Sequence, residues 1–268
     1  MLIKEKETNT LGQFTQVIEA VVGGPHEVHW FRGCARADFE LAPSLYRHPT
    51  IKGISDLLEL ENRLINRFRQ RSAPYQARMS DDWEYLFLMQ HFGVPTRLLD
   101  WTENPYIALY FALTGACLQH PGTPFDDPPD SAVWVLNPTK WNRFVFRDVT
   151  FTGDVLSVGD PELRGYEPKS VMNNNPVALY GTHNSPRIVA QRGVFTIAGR
   201  NTTAMEELAQ DQEFDEKSLR KIVIPGEVVH SVLDSVLAIG VTESVVFPSL
   251  DGLAREMTRT SGFKVWNV

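Results

Sequence analysis

Residues 83–113, WEYLFLMQHFGVPTRLLDWTENPYIALYFAL, set two charged side chains, Arg97 and Asp100, inside a strongly apolar neighbourhood. Charges in such a place must be paired, hydrogen-bonded or used on a ligand, because a desolvated and unpaired charge is costly. The flanking residues supply helix signals. Asp81 or Asp82 can N-cap a first helix that Gly93 and Pro95 end, and Asn104 can cap a second helix with Pro105 at its first position. Between them TRLLDWT reads as a strand-like hinge, and the pocket is expected there. Arg97 and Asp100 either brace the hinge against each other or face a ligand.

The rest of the chain arranges itself around this stretch. Residues 11–22 carry apolar side chains at Leu11, Phe14, Val17, Ile18 and Val21, a helical spacing that Gly23-Gly24-Pro25 ends. Residues 27–33, EVHWFRG, alternate towards β and put Arg32 near a strand end, with a permissive backbone at Gly33. Arg32 is either a ligand-facing guanidinium or an ordinary surface arginine. Residues 54–71 form an amphipathic helix whose charges, Glu61 among them, read as a solvated face. Residues 120–131 read as a surface loop before the strand AVWVL, and residues 142–160 as short β-like runs. Residues 166–184 are either a ligand-gating loop or irregular surface. Residues 187–199 (RIVAQRGVFTIAG) and 221–225 (KIVIP) read as two neighbouring strands joined by an exposed acidic connection. Residues 228–239 read as a helix and 243–248 (ESVVFP) as a last short strand.

Composition narrows the function classes. With 268 residues, 43% of them hydrophobic, the chain can bury a real core, and a single domain over residues 1–268 is expected. A net charge of −7 removes the strongest cue for non-specific nucleic-acid binding while leaving room for a local basic groove. Only Cys34 and Cys117 are present, so neither a disulfide scaffold nor a cysteine-rich metal site is signalled. The amino-terminal residues lack the apolar core of a secretory signal, and the longest apolar run is too short to span a bilayer, so a cytoplasmic protein is expected.

Phosphate-loop, dinucleotide-turn, nucleophile-elbow and zinc-helix spacings are all missing. His26 and His29 fall on opposite faces of a β-like stretch and do not suit a metal. His91, at the end of an apolar helix, is either a satisfied core histidine or a polar group lining a cleft. What remains is an arginine at a strand end, a Thr-rich hinge and a late Gln or Glu. That set would suit an anionic dinucleotide, with guanidinium for phosphates and an acceptor for a sugar hydroxyl. Trp101, Tyr106 and Tyr110 can stack on a base, although aromatic residues on a helix are more often core.

At Phe31-Arg32-Gly33, LAPSLYR, the block from Trp83 onward, RIVAQRGVFTI and ESVVFPSLDGLA, the sequence resembles the FRG domain family, named for its Phe-Arg-Gly signature. More distantly it resembles ADP-ribosyltransferases, whose first strand ends in Arg-Gly, whose second motif is a Ser/Thr strand leading into an Ala-x-x-Phe-Ala helix, and whose third carries a glutamate. The resemblance implies an α+β domain with a small, strongly twisted mixed sheet, an ADP-ribosyltransferase-like fold, and NAD as substrate. It implies binding by Arg32, Gly33, Thr96 and Thr102, with catalysis by Gln191 or Glu243; Arg97 and Tyr110 for binding and His91 for catalysis are further candidates from the residues themselves. The activity implied is transfer of ADP-ribose to a protein or RNA, as a toxin or anti-phage effector with an antitoxin partner. A non-catalytic nucleotide- or protein-binding module and an NAD glycohydrolase are the alternatives.

Overall fold

The hinge between the two expected helices is an interior strand of one large sheet. The computed structural model describes residues 5–22, 27–75, 79, 81–118, 127–147, 151, 153–169, 171–182, 185–210, 215 and 218–263. Its strands are β1 (Glu5–Glu7), β2 (Trp30–Cys34), β3 (Leu98–Thr102), β4 (Ser131–Leu136), β5 (Leu156–Ser157), β6 (Val177–Tyr180), β7 (Gly193–Ile197) and β8 (Leu219–Ile224). Its α-helices are α1 (Leu11–Val21), α2 (Ile54–Ser72), α3 (Asp82–His91), α4 (Pro105–Leu118), α5 (Pro138–Val145), α6 (Pro186–Gln191), α7 (Met205–Leu208), α8 (Val229–Ala238), α9 (Glu243–Val246) and α10 (Leu250–Thr260). Among the described residues no helix is long and apolar enough to cross a membrane.

The caps form where the sequence places them. Asp81 accepts the Glu84 N–H at the start of α3, and Gly93, at φ +75°, takes the left-handed conformation just past its end. Asn104 Oδ1 accepts the N–H groups of Tyr106 and Ile107 at the start of α4. Gly23, Gly24 and Pro25, expected to end α1, and the loop 119–126 lie outside the described residues, as does His26.

The architecture is α+β with a mixed sheet of eight strands in the order β1-β8-β4-β2-β3-β7-β6-β5. It is parallel at β1/β8 and β5/β6 and antiparallel elsewhere. The sheet is thus larger than expected, and β7 and β8 are not neighbours, because β3, β2 and β4 lie between them. Residues 187–199 are not one strand either. Ser185 accepts the Ile188 N–H and Pro186 fills the first turn, so the segment begins as α6. Arg192, at φ 47°, then turns the chain into β7. Residues 243–246 form α9 rather than a strand, since Glu243 is held by Arg259 of α10, and Thr242 and Ser244 by Glu256. Residues 138–145 are helical behind an Asn137 cap, so among the described residues of 142–160 only Leu156–Ser157 is strand. The 171–176 segment, one of whose expected roles was a gate, is tied down by Arg200 and Asn201 N–H bonds to the Asn173 and Asn174 carbonyls. The acidic connection contains α7, with Ala204, Met205 and Ala209 buried.

Period-two alternation sorts the core. Phe31, Val133 and Ile222 face α1, α4 and α8 on one side, and Trp30, Trp134 and Leu219 join Leu99, Trp101 and Trp141 on the other. Leu98, Phe195 and Ile197 pack under α3 with Phe87 and Met89. Gly33 sets the distance between β2 and α4, because a Cβ there would stand 2.6 Å from the Ala112 nitrogen, on helix backbone that cannot yield. Gly33→Ala is expected to cost about 1–3 kcal/mol or more, read as a lowered denaturation midpoint; an unchanged midpoint would show that the contact is slack.

Candidate functional site

Strands β2 and β3 are paired only at Phe31↔Thr102, whereas β2 keeps a five-residue register with β4 and β3 a five-residue register with β7. Each strand is committed to its outer neighbour, so the two part beyond that single pair. A cleft of about 390 Å³ opens there, within the size range of small-molecule sites. Its walls come from β2, β3, the end of α3, the Phe111 and Gly115 face of α4, the α6–β7 turn and the loop after β2.

Asp100 stands at the floor. Its side chain is open to the cleft yet enclosed by protein elsewhere, and that enclosure pushes its carboxyl above the ordinary carboxylate range. The guanidinium of Arg32, the hydrogen bond from Gln90 and the charge of Arg187 pull the other way. Arg32 Nη1 donates to the Asp100 main-chain carbonyl at 2.6 Å, bridging the parted strands. Arg187 lies over the Phe247 ring, 4.8 Å from its centroid. Arg32, Arg47 and Arg187 all line the cleft, and none is in a salt bridge among the described residues. The cleft is therefore a cationic patch on an acidic chain. Burial and the nearby Arg187 lower the pKa of His91, which is neutral at pH 7. Cys34 also lines the cleft, but burial raises its thiol pKa, which leaves it a poor nucleophile. Among the described residues no group of three or more His, Cys, Asp or Glu side chains could hold a metal ion.

The structure brings Arg32, Gly33, His91, Thr102 and Gln191 together on the cleft walls. Thr102 is partly spent on structure, its hydroxyl donating to the Gln191 carbonyl. Gln191 ends α6 rather than sitting on a strand, and its side-chain amide donates to the Val246 carbonyl at 3.0 Å. The other expected site residues lie elsewhere. Arg97 is fully buried, with Nε on Glu61 at 2.7 Å and its two terminal nitrogens on the Ala198 and Tyr166 carbonyls, so it is out of reach of a ligand in the cleft. Glu61 is likewise fully buried rather than solvated, and Arg97 braces against it rather than against Asp100. Thr96 is buried behind Gln90. Tyr110 packs in the core under α9. Glu243 is outside the cleft wall, both its oxygens taken by Arg259 at 2.7 and 2.9 Å.

Gln90, Arg47 and Arg187 join the site without having been singled out as ligand-facing, and Asp100, expected either to brace the hinge or to face a ligand, lines the cleft. For Asp100 the signal was present: a lone carboxylate in LLDWT breaks an apolar strand. For Arg187 it was hidden, because its segment reads as strand until the Ser185-Pro186 start is recognised.

Residues 27–120 match the model of the FRG domain family, and the match holds Arg32, Gln90, His91 and Asp100 but not Arg187 or Gln191. Neither the curated proteins nor the solved structures give a match.

The raised Asp100 carboxyl has a consequence for stability. Its contribution is fully present below the ordinary value of 3.8 and is lost as pH rises through the higher folded value, so the ionised group works against folding at neutral pH. Asp100→Asn is expected to melt no lower than the parent at pH 7, with any gain fading towards pH 4. A variant that melts lower at pH 7 and equally at pH 4 would mean that the carboxylate is net stabilising.

Proposed function

We propose, with the match to the FRG domain family as the premise, that this chain binds NAD in the cleft between β2 and β3 and transfers its ADP-ribosyl group to a protein or an RNA. The observation that carries the reading is the trio of guanidiniums, Arg32, Arg47 and Arg187, without carboxylate partners among the described residues, set around a floor that bears Asp100. Three guanidiniums around one carboxylate leave the cleft with surplus positive charge, Arg32 and Arg187 being partly desolvated as well, and their planar forks suit a diphosphate. A sheet split beside an Arg-Gly strand also agrees with the resemblance to ADP-ribosyltransferases.

The chemistry is a substitution at the ribose carbon that bears nicotinamide. The C–N bond breaks and its electron pair leaves with nicotinamide, which becomes neutral, while the ribose passes through an oxocarbenium-like state. An oxygen, nitrogen or sulfur atom of the acceptor forms the new bond to that carbon and gives up its proton. Neutral His91 on the cleft wall is suited to take that proton, and the cleft supplies the alignment.

Titration calorimetry should show NAD binding, weakened about 10–100-fold by Arg32→Ala and by Arg187→Ala, as the loss of a charge-assisted hydrogen bond implies. Arg63→Ala, which removes an exposed surface ion pair with Glu59 one turn away and does not line the cleft, should change nothing. With labelled NAD and cell lysate, nicotinamide release with label on protein or RNA supports transfer, and release without label assigns the cleft to hydrolysis. Binding without release would make it a non-catalytic module, and no binding would overturn the reading. If the chain acts as a toxin, its expression slows growth and Arg32→Ala relieves the effect.

A further inference from the structure

The cleft holds its carboxylate through an ordered line of hydrogen bonds that runs back into the protein. The Thr96 hydroxyl accepts the Leu98 N–H at 3.1 Å, so its own proton is free to donate, and it donates to Gln90 Oε1. With its carbonyl oxygen so engaged, the Gln90 amide is fixed in one orientation, and its Nε2 donates to Asp100 Oδ2. Each donor in the series points towards Asp100, an arrangement in which successive bonds polarise one another. The Thr96 backbone is itself tied by its N–H to Ser44 Oγ at 3.3 Å and by its carbonyl to the Leu45 N–H at 3.2 Å.

Two further observations set Asp100 apart from a structural carboxylate. Its side chain forms no salt bridge among the described residues, although Arg32 donates to its main-chain carbonyl. Of the carboxylates that the resemblance or the fold brings near the cleft, Glu243 is locked by Arg259, and Glu40 lines the cleft from the exposed loop after β2 rather than from a strand. Asp100 alone combines a floor position with an oxygen held in place from behind.

We propose that Asp100 is the catalytic carboxylate of this cleft, accepting a hydrogen bond from the ribose 2′-hydroxyl as positive charge develops on the sugar, and that Gln90 and Thr96 are its positioning residues. The proposal rests on the NAD reading above. It replaces Gln191 and Glu243 in the catalytic role and gives the buried Thr96 a task that needs no contact with substrate. The charged and titratable groups facing Asp100 are Arg32 from β2, His91 from α3 and Arg187 from α6, and the two guanidiniums favour its ionised form.

The test uses the full chain and NAD, with nicotinamide release for turnover and calorimetry for binding. Asp100→Asn should lower kcat by about 10²–10³, the loss typical of one electrostatic group in an active site, with affinity for NAD changed no more than about threefold. Thr96→Val should lower kcat about tenfold at unchanged KM and shift the pH profile of kcat, and Thr96→Ser, which restores the hydroxyl, should recover both. A merely structural Thr96 would lose melting temperature without moving the pH profile. If the parent cleaves NAD and Asp100→Asn retains turnover within about threefold, the assignment is overturned while the NAD reading stands. If Thr96→Val and Thr96→Ser behave alike, the positioning line is overturned. If the parent neither binds nor cleaves NAD, the functional reading fails and the assignment falls with it.

Discussion

The Glu61–Arg97 pair is the interaction on which the rest of the structure depends. Both side chains are fully buried, and Arg97 spends its donors on the Glu61 carboxylate and on the Ala198 and Tyr166 carbonyls, while Glu61 also accepts the Arg97 N–H. Four segments therefore meet at one residue: α2, the entry to β3, the exit of β7 and the turn ending at Tyr166. A buried ion pair is not a large net source of stability, but removing one partner leaves an uncompensated charge and costs about 3–5 kcal/mol. Its value here is positional. It clamps β3 at its first residues, which places Asp100 three positions on.

The cleft follows from a conflict of commitments at the middle of the sheet. Gly33 brings β2 onto α4, whereas β3 follows β7 and the helices that cover it, and only Phe31↔Thr102 holds the two strands together. A sheet that opens in its interior exposes polar backbone, and the Arg32 side chain compensates by donating to the Asp100 carbonyl across the gap. The same residue that closes the backbone account faces the cavity with its remaining charge. Fold and candidate chemistry are thus joined at Arg32.

Much of this was legible in the residues. The caps at Asp81 and Asn104 bracket β3, and the strand position of Arg32 follows from alternation. The demand that Arg97 be paired was also visible, but its partner was not. Glu61 sits in a helix rich in charge and reads as solvated, although Leu57, Leu58, Glu61 and Ile65 share the buried face at helical spacing, which is the signal that could have found it. Short β-branched runs misled at 187–191 and 243–246, where Ser-Pro capping and contacts with α10 impose helix on sequences that suit either state. Strand order was not legible, since the separation of β7 from β8 is decided by packing between segments far apart in the chain. Glu243 was a candidate for its carboxylate and Arg97 for its charge in an apolar stretch, and local ion pairs had already claimed both.

The most direct measurement is a structure of the chain with bound NAD or a non-hydrolysable analogue. The account places the diphosphate within hydrogen-bond reach of Arg32 and Arg187, and the nicotinamide ribose against Asp100 in the opening between β2 and β3. A dinucleotide seated instead on the outer surface beside Arg69, Asp82 and Lys169, with the cleft empty, would contradict it.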